Sequence, residues 1–529
     1  MPERWGELRS YGGFDKVRPR MWTEPADRDE LSRQLRTLRE EDRKITFRGG
    51  GWSFHDQSLN ADVVVSMARF DSIEVDTEAS PPVVRVGSGA RWRDILNACL
   101  AHNVVPGVMV TGGDTTAGGT ASGDSISRFS PVWGKESTFV EQVLIMDLNG
   151  VVHSLTNPRT DSEDDDEYHR FHAVIGGFGF LGALLELTYV VLPLGELGDA
   201  GPPQVETKIT PLTDLSELFA RYLVASDRAS AVRRERRQEV TSHPVEERPW
   251  AQWIPPGELK RLQTEAPPDA PVAESMYAVI FGAKKALLYE SWMVSGAADT
   301  KKYLLYQPDS FIARLGHLLI ATRAGTWLVN GLAFALAKLG QTQHVDALDD
   351  FTFFMDGNIA AQGWARSMGF ELRVVQQTFV IRVPKAEDAT PDERIAGALS
   401  FANEALELSR TARITPSMFD VLYIPEDESW LSSTDDLDGF ALTLAYQHIA
   451  LDDDRAREWQ IRVIAVLEHL SRRCQELGGR VHLVKNVHCQ RELLRDMYGD
   501  RIERFRSEKA RWDGDEVICN PFYDRLLAR

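Results

Sequence analysis

Apolar residues first recur at helical spacing across positions 25–41, where Leu31, Leu35 and Leu38 share one face and predict an amphipathic helix. Short β-type runs follow at 44–47, 63–67 and 83–86. Positions 92–102 return to helical spacing, with Ile95, Ala98 and Cys99 on one side. Two alternating runs, 143–147 and 151–153, flank Asn149-Gly150, a dipeptide suited to the tight turn of a hairpin. Residues 168–175 read as helix, and 185–191 alternate as a strand. The first 200 residues are therefore α+β, with short strands joined by glycine-rich loops.

The pattern changes after Pro193. Residues 195–203 are a Gly/Pro-rich linker, which predicts a domain boundary, and 226–275 are charged and Pro-rich, which predicts a long surface excursion. From 276 to 470, β-like runs such as 379–383 alternate with helical ones such as 396–408. The most apolar stretch, 324–337, is bounded by Arg323 and Lys338. At about 14 residues it is shorter than the ~20 a spanning helix needs, so it reads as a buried or amphipathic helix. A surface element that dips into a bilayer or covers a lipid-like substrate is the sharper reading, and 311–340 is then a lid.

Composition narrows the class. In 529 residues, 43% are hydrophobic and 26% charged, which excludes disorder and coiled coil. Sixty Lys and Arg against 79 Asp and Glu leave a net charge of −19, which repels nucleic-acid backbones. Cys99, Cys474, Cys489 and Cys519 form no C-x-x-C pair, so neither a disulfide framework nor a metal site is expected. The acidic run 161–167 lacks the glycine of a calcium loop and reads as solvated. Residues 1–20 have no apolar core of a signal peptide. A cytoplasmic protein without a transmembrane span is expected, with peripheral membrane contact left open and oligomeric state unspecified.

Three glycine clusters carry the candidate chemistry. Arg48-Gly49-Gly50-Gly51-Trp52-Ser53 directly follows a strand, and successive free amides in such a turn form an anion-binding nest. Residues 111–125 (Thr111, Gly112, Gly113, Asp114, Thr115, Thr116, Ala117, Gly118, Gly119 through Ser122, Asp124 and Ser125) contain no large apolar side chain. A loop passing a phosphate-bearing ligand looks like this, because small residues clear space while hydroxyls and amides donate. The third cluster, 176–182, contains a literal G-x-G-x-x-G from Gly177 to Gly182. It follows a helix-like stretch and precedes a strand, the reverse of a dinucleotide-binding βαβ turn. No P-loop, G-x-S-x-G or H-E-x-x-H occurs.

Taken in this order, the three loops resemble the FAD-binding half of the vanillyl-alcohol-oxidase/p-cresol-methylhydroxylase flavoprotein superfamily. Within it the chain is most similar to the decaprenylphosphoryl-β-D-ribose oxidases, and secondarily to the sterol Δ24-reductases. The resemblance implies an α+β fold: a two-part FAD-binding domain over 1–198, a separate α+β substrate or cap domain over 199–470, and a C-terminal segment, 471–529, that returns to the FAD domain. It implies that 47–57 and 111–119 wrap the FAD pyrophosphate. Ser122, Asp124, Ser125 and Arg128 would pass the flavin ring, and Gly177, Gly182 and Ala183 would lie beside the nucleotide. Gly478 to Lys485 resembles G-G-R-L-Y-x-x-K of the ribose oxidases, which places His482 and Lys485 at the catalytic centre. Residues 375–380 resemble V-Q-Y-Q-F-V, with Gln376 and Thr378 facing substrate; Tyr423 and Thr443 are further candidates for the cavity wall.

Departures from the family pattern matter as well. Trp52 stands where many members carry the His bonded to flavin, so non-covalent FAD is expected. Ile126 replaces a His beside the flavin, and Asp513-Gly514 replaces a D-P pair. The expected reaction is hydride transfer to flavin N5 from a CH–OH carbon of a sugar, polyol or glycosylated or lipid-linked metabolite. His482 would be the base and Lys485 the second choice, with no metal. The alternative is a flavin enzyme acting on a C–C or C=C bond.

Overall fold

The computed structural model describes residues 6–157, 166–241, 256–257, 273–296, 311–340, 342–427, 429–450 and 452–528. The fold is α+β. Among the described residues the amino-terminal half holds three sheets, the smallest a pair of two-residue strands, Leu8–Arg9 and Lys16–Val17. A small parallel sheet runs in the order Met21–Thr23, Val63–Ser66, Ile45–Arg48. Helix Arg28–Glu40 belongs to the same region, with Leu31, Leu35 and Leu38 buried and its first turn capped by Asp27, whose carboxylate accepts from Glu30 N. An antiparallel sheet follows in the order Val152–Thr156, Val140–Met146, Ala183–Pro193, Val83–Gly87, Ile73–Asp76, with Val104–Pro106 on the far end of Ala183–Pro193. Its first two strands form the hairpin expected around Asn149-Gly150, with Val152 opposite Met146 and Gly150 at φ 74°. Helix Asp166–Val174, the third glycine cluster and strand Ala183–Pro193 follow one another in the helix-then-strand order that rules out a Rossmann turn.

The second half is built on one eight-stranded antiparallel sheet. Its order is Gln343–Ala347, Gln204–Leu212, Lys285–Val294, Ser275–Gly282, Met418–Ile424, Gly439–Ala450, Glu371–Arg382, Arg480–His482. Gln204 begins its first strand directly after the Gly/Pro linker. Helices Leu215–Thr241, Pro391–Thr411 and Asp453–Glu476 pack on one face. Pro391–Thr411 starts with a reciprocal cap between Thr390 and Glu393.

Two expectations change here. Positions 226–241 are the second half of helix Leu215–Thr241, not part of a surface excursion; 242–255 and 258–272 lie outside the described residues, as does most of the acidic run 161–167. The tail is also divided. Arg480–His482 is the edge strand of the eight-stranded sheet, and the residues after it pack on the amino-terminal half, where Lys509 Nζ donates to Phe180 O at 3.0 Å and Cys519 N to Ile45 O at 3.1 Å.

Candidate active site

Both halves face a cavity of about 480 Å³, well within the size of small-molecule sites. One wall comes from the glycine loops. Strand Ile45–Arg48 delivers Gly49, Gly50, Gly51, Trp52 and Ser53 to this wall, and Gly51 has φ 76°, which a side chain would strain. A Cβ at Gly49 would collide with Thr116 Oγ1, so the first two loops are pressed together. Trp52 Nε1 donates to Asp114 O at 2.9 Å and ties them. Among the described residues, the backbone amides from Gly49 to Ser53 donate to no other backbone group. Ser88 Oγ and Thr116 Oγ1 also face this region, buried and without a protein partner. Unpaired donors in a buried, small-residue cradle are what a bound polyanion would satisfy.

The opposing wall is a single cross-strand row. Val279 pairs with Asp420, Asp420 with Thr443, Thr443 with Thr378, and Thr378 with His482. Residues directly opposite in a sheet point to one face, so five strands aim side chains at the same side. Asp420 is a lone acid in the apolar strand Met418–Ile424. Burial raises its carboxyl to about 6, against the lowering pull of Lys485 and of the Thr443 hydroxyl. Burial lowers Lys485 to about 8, opposed by Asp420. The Lys485 ammonium sits 4.5 Å from the Phe54 ring centroid, and its carbonyl accepts from Gln57 Nε2 at 2.8 Å, which links it to the glycine side. His482 is pushed down to about 3 by burial, then by Lys135 and Lys485, so it stays neutral. Its Nδ1 meets Ser433 Oγ at 3.1 Å, while Nε2 has no protein partner. Asn486 accepts from Gln376 N and donates its own N–H to Gln376 O, both at 2.8 Å, which locks the segment after His482 against the sheet.

A roof closes the cavity. Helices Phe311–Leu319 and Arg323–Lys338 contribute Gly316, His317, Val329, Asn330 and Ala333, together with Ile320 between them. Burial holds His317 down at about 4.

Of the residues expected at the site, the cavity brings together Gly49, Gly50, Gly51, Trp52, Ser53, Thr111, Gly112, Thr115, Thr116, Gly118, Gly119, Ser122, Ser125, Arg128, Gly182, Gln376, His482 and Lys485, with Thr443 and Ile126. Arg128 is sandwiched over Phe354 and Tyr277, 3.4 and 4.0 Å from their centroids.

Others stand off the wall, each for a visible reason. Arg48 is buried behind its loop, where it donates to Ser58. Gly113 gives its amide to Asp356 at 3.0 Å, and Asp114 supplies the carbonyl that Trp52 uses. Asp124 forms a buried ion pair with Lys135 at 2.6 Å. A Cβ on Gly177 would strike Ala173 O, so this glycine serves helix packing, and Ala183 lies inside its strand; Phe178 and Gly179 line the cavity instead. Thr378 belongs to the right row but is fully covered, hydrogen-bonded to Thr443 at 2.8 Å. Tyr423 is corrected by parity: Met418, Asp420 and Leu422 face the cavity, so Tyr423 faces the other side, against Tyr222 and Phe440. Asp420 escaped sequence reasoning, although a single carboxylate in an otherwise apolar strand was a usable signal.

Comparison with known proteins gives a partial match. Residues 19–156 match the FAD binding domain family. An uncharacterized oxidoreductase of the fasciation locus of Rhodococcoides fascians is 24% identical over 179 residues, 34% of this chain and 39% of that protein. D-arabinono-1,4-lactone oxidase of Eremothecium gossypii is 24% identical over 189 residues, 35% of this chain and 34% of that protein. The matches thus span just over a third of each relative's length. The matched family segment contains the first two glycine loops and their unpaired donors, and these residues fit an FAD pyrophosphate.

Proposed function

We propose that this chain, with an FAD-type domain across residues 19–156, is an FAD-dependent oxidoreductase that oxidises the CH–OH carbon of a sugar, polyol or glycosylated or lipid-linked metabolite. The observation that carries the reading is the half-buried Asp420–Lys485 couple, set in the same cavity as the glycine cradle. When bound, FAD supplies the acceptor for the hydride that leaves the alcohol carbon. The amides of Gly49–Ser53 and the hydroxyls of Thr111 and Thr116 hold the pyrophosphate, while Thr115, whose hydroxyl donates to Gly112 O at 2.6 Å, braces the cradle together with Arg48, Gly113 and Asp114. Ser122, Ser125, Arg128 and Gly182 complete the cofactor side.

The remaining residues handle the proton. Near pH 7 the Lys485 ammonium, just below its midpoint of about 8, steadies the substrate oxygen. The Asp420 carboxylate, ionised above about 6, takes the hydroxyl proton with a proton affinity close to working pH. With a midpoint near 3, His482 is too weak a base for that step; its unpaired Nε2 orients a hydroxyl instead. Gln376 and Thr443 give further hydrogen bonds suited to a polyhydroxylated substrate, and the sugar-lactone oxidase among the relatives supports that class.

FAD is held without a covalent bond. Trp52 presents indole at the position where a tethering His would stand, and its N–H is already committed to Asp114. Among the described residues the imidazoles lining the cavity are His317, in the roof, and His482.

The test begins with acid precipitation of purified protein, which should release a yellow chromophore into the supernatant. Anaerobic mixing with a panel of polyols, sugars and sugar lactones should then bleach the bound flavin. A colourless protein that binds no added FAD overturns the reading. Reoxidation of pre-reduced flavin by an alkene, with no CH–OH donor active, transfers it to C=C chemistry.

A further inference from the structure

We propose that the helical pair Phe311–Leu319 and Arg323–Lys338 docks the protein onto an anionic lipid bilayer. The inference stands on the outer face of the roof and does not depend on the redox reading.

Seven of the fourteen large apolar side chains that are exposed among the described residues fall between 311 and 340: Phe311, Leu315, Trp327, Leu328, Leu332, Leu336 and Leu339. Trp327 is 74% exposed and Leu339 82%. Leu328, Leu332 and Leu336 recur every fourth residue, so they form a continuous stripe on one side of helix Arg323–Lys338. The same helix buries Thr326, Phe334 and Ala337 and turns Val329, Asn330 and Ala333 into the cavity. The stripe is therefore not the core-facing side of an ordinary amphipathic helix. It is a second apolar side, directed at solvent, and contiguous exposed patches of this kind mark interaction surfaces.

Charge identifies the partner. Residues 311–340 carry Arg314, Arg323 and Lys338 and no Asp or Glu, in a chain whose net charge is −19. A cationic apolar surface complements anionic headgroups over acyl chains. It does not complement itself, because two copies meeting here would bring these cations together. Arg323 and Lys338 bound the helix at its two ends, where long cationic side chains keep their charges among headgroups while the apolar stripe sinks below them. At about 1.5 Å per residue a 16-residue helix is about 24 Å long, short of the ~30 Å hydrocarbon core. No helix among the described residues is long and apolar enough to cross a membrane. The pair thus lies in the interface, with lipid on one side and the substrate cavity on the other.

The test uses the full-length protein and flotation with phosphatidylcholine vesicles, with and without an equal part of phosphatidylglycerol. The protein floats with the anionic vesicles, binds the neutral ones less, and loses the difference in high salt. Leu332→Glu and Trp327→Glu each lower partition about tenfold or more, by placing a carboxylate in the apolar stripe. Both sites are exposed, so circular dichroism and FAD content remain those of the wild type. The Trp327 part of the emission, taken as the difference from Trp327→Phe, shifts to the blue with vesicles and is quenched by brominated lipid. Absence of flotation, or equal flotation of wild type and Leu332→Glu, overturns the proposal. So does a dimer that Leu332→Glu dissolves without any vesicle binding, which would assign the face to a second copy. Shielding of Trp327 from acrylamide in the absence of vesicles would mean that this chain covers the face itself, and would also overturn it.

Discussion

Replacing Asp420 by Asn keeps the shape of the side chain and removes the one influence that holds the Lys485 proton against burial. Both groups are half-buried where they line the same cavity wall, and each appears among the causes of the other's shift. Opposite charges close enough to titrate together inside a protein attract by about 1–3 kcal/mol, a tenfold to hundredfold change in proton affinity. In the wild type, Lys485 is half-protonated near pH 8. In Asp420→Asn burial acts unopposed, and the ammonium gives up its proton at a lower pH, by tenfold or more in proton concentration. Labelling with an amine-reactive reagent across pH, with the Lys485 peptide quantified by mass spectrometry, reads this directly and needs no substrate. The wild-type profile rises around pH 8 and that of Asp420→Asn below it. With a substrate in hand, wild-type kcat/KM falls below about pH 6, as Asp420 takes up its proton, and above about pH 8, as Lys485 loses its own. Asp420→Asn abolishes the acid limb and lowers the plateau by about 10²–10⁴-fold, as expected for a general base. An unchanged Lys485 profile in a variant that still retains FAD would refute the coupling, and with it the assignment of Asp420.

Three further outcomes follow from other parts of the molecule. Lys135→Met leaves Asp124 and Asp427 without the buried ammonium they share at 2.6 and 3.0 Å, and costs about 3–5 kcal/mol of stability by urea unfolding; a loss below about 1 kcal/mol would show the triad to be dispensable. Glu136 is raised by burial from 4.5 to about 8, so its contribution is complete below pH 4.5 and fades as pH rises through 8; Glu136→Gln removes that fall, on the order of 5 kcal/mol, and equal pH dependence of wild type and variant would contradict it. Gly49→Ala drives a methyl group into Thr116 and weakens FAD binding at least about tenfold in a fluorescence titration, while Gly363→Ala, in open space on helix Asp356–Ser367, leaves affinity unchanged and stabilises the helix by up to about 1 kcal/mol; equal affinities for the two would detach the cradle from the cofactor.

What the chain states locally can be read without coordinates. Leu31, Leu35 and Leu38 recur at a helical period and are buried on helix Arg28–Glu40. Asn149-Gly150 supplies the residue at positive φ between two paired strands. The glycine loops declare an anion cradle because the absence of side chains is itself a sequence pattern, and much of that cradle was legible before the fold. The division of the second half was less so: a charged, Pro-rich composition concealed the end of helix Leu215–Thr241, since composition reports solvation rather than hydrogen bonding.

The chemistry of the opposing wall was decided by tertiary structure. Asp420, Thr443, Thr378 and His482 lie far apart in sequence and share one row only through strand register, which no single strand encodes. The same register covers Thr378, and alternation turns Tyr423 to the helical face. His482, a reasonable base by residue type, becomes a poor one when burial and the nearby Lys135 and Lys485 hold it neutral, while burial lifts Asp420 into the working range. Sequence alone determined where backbone could approach a ligand, because that depends on side chains that are missing. Which side chains meet the substrate, and in what charge state, depended on desolvation and on neighbours brought from four distant strands, and these exist only in the folded chain.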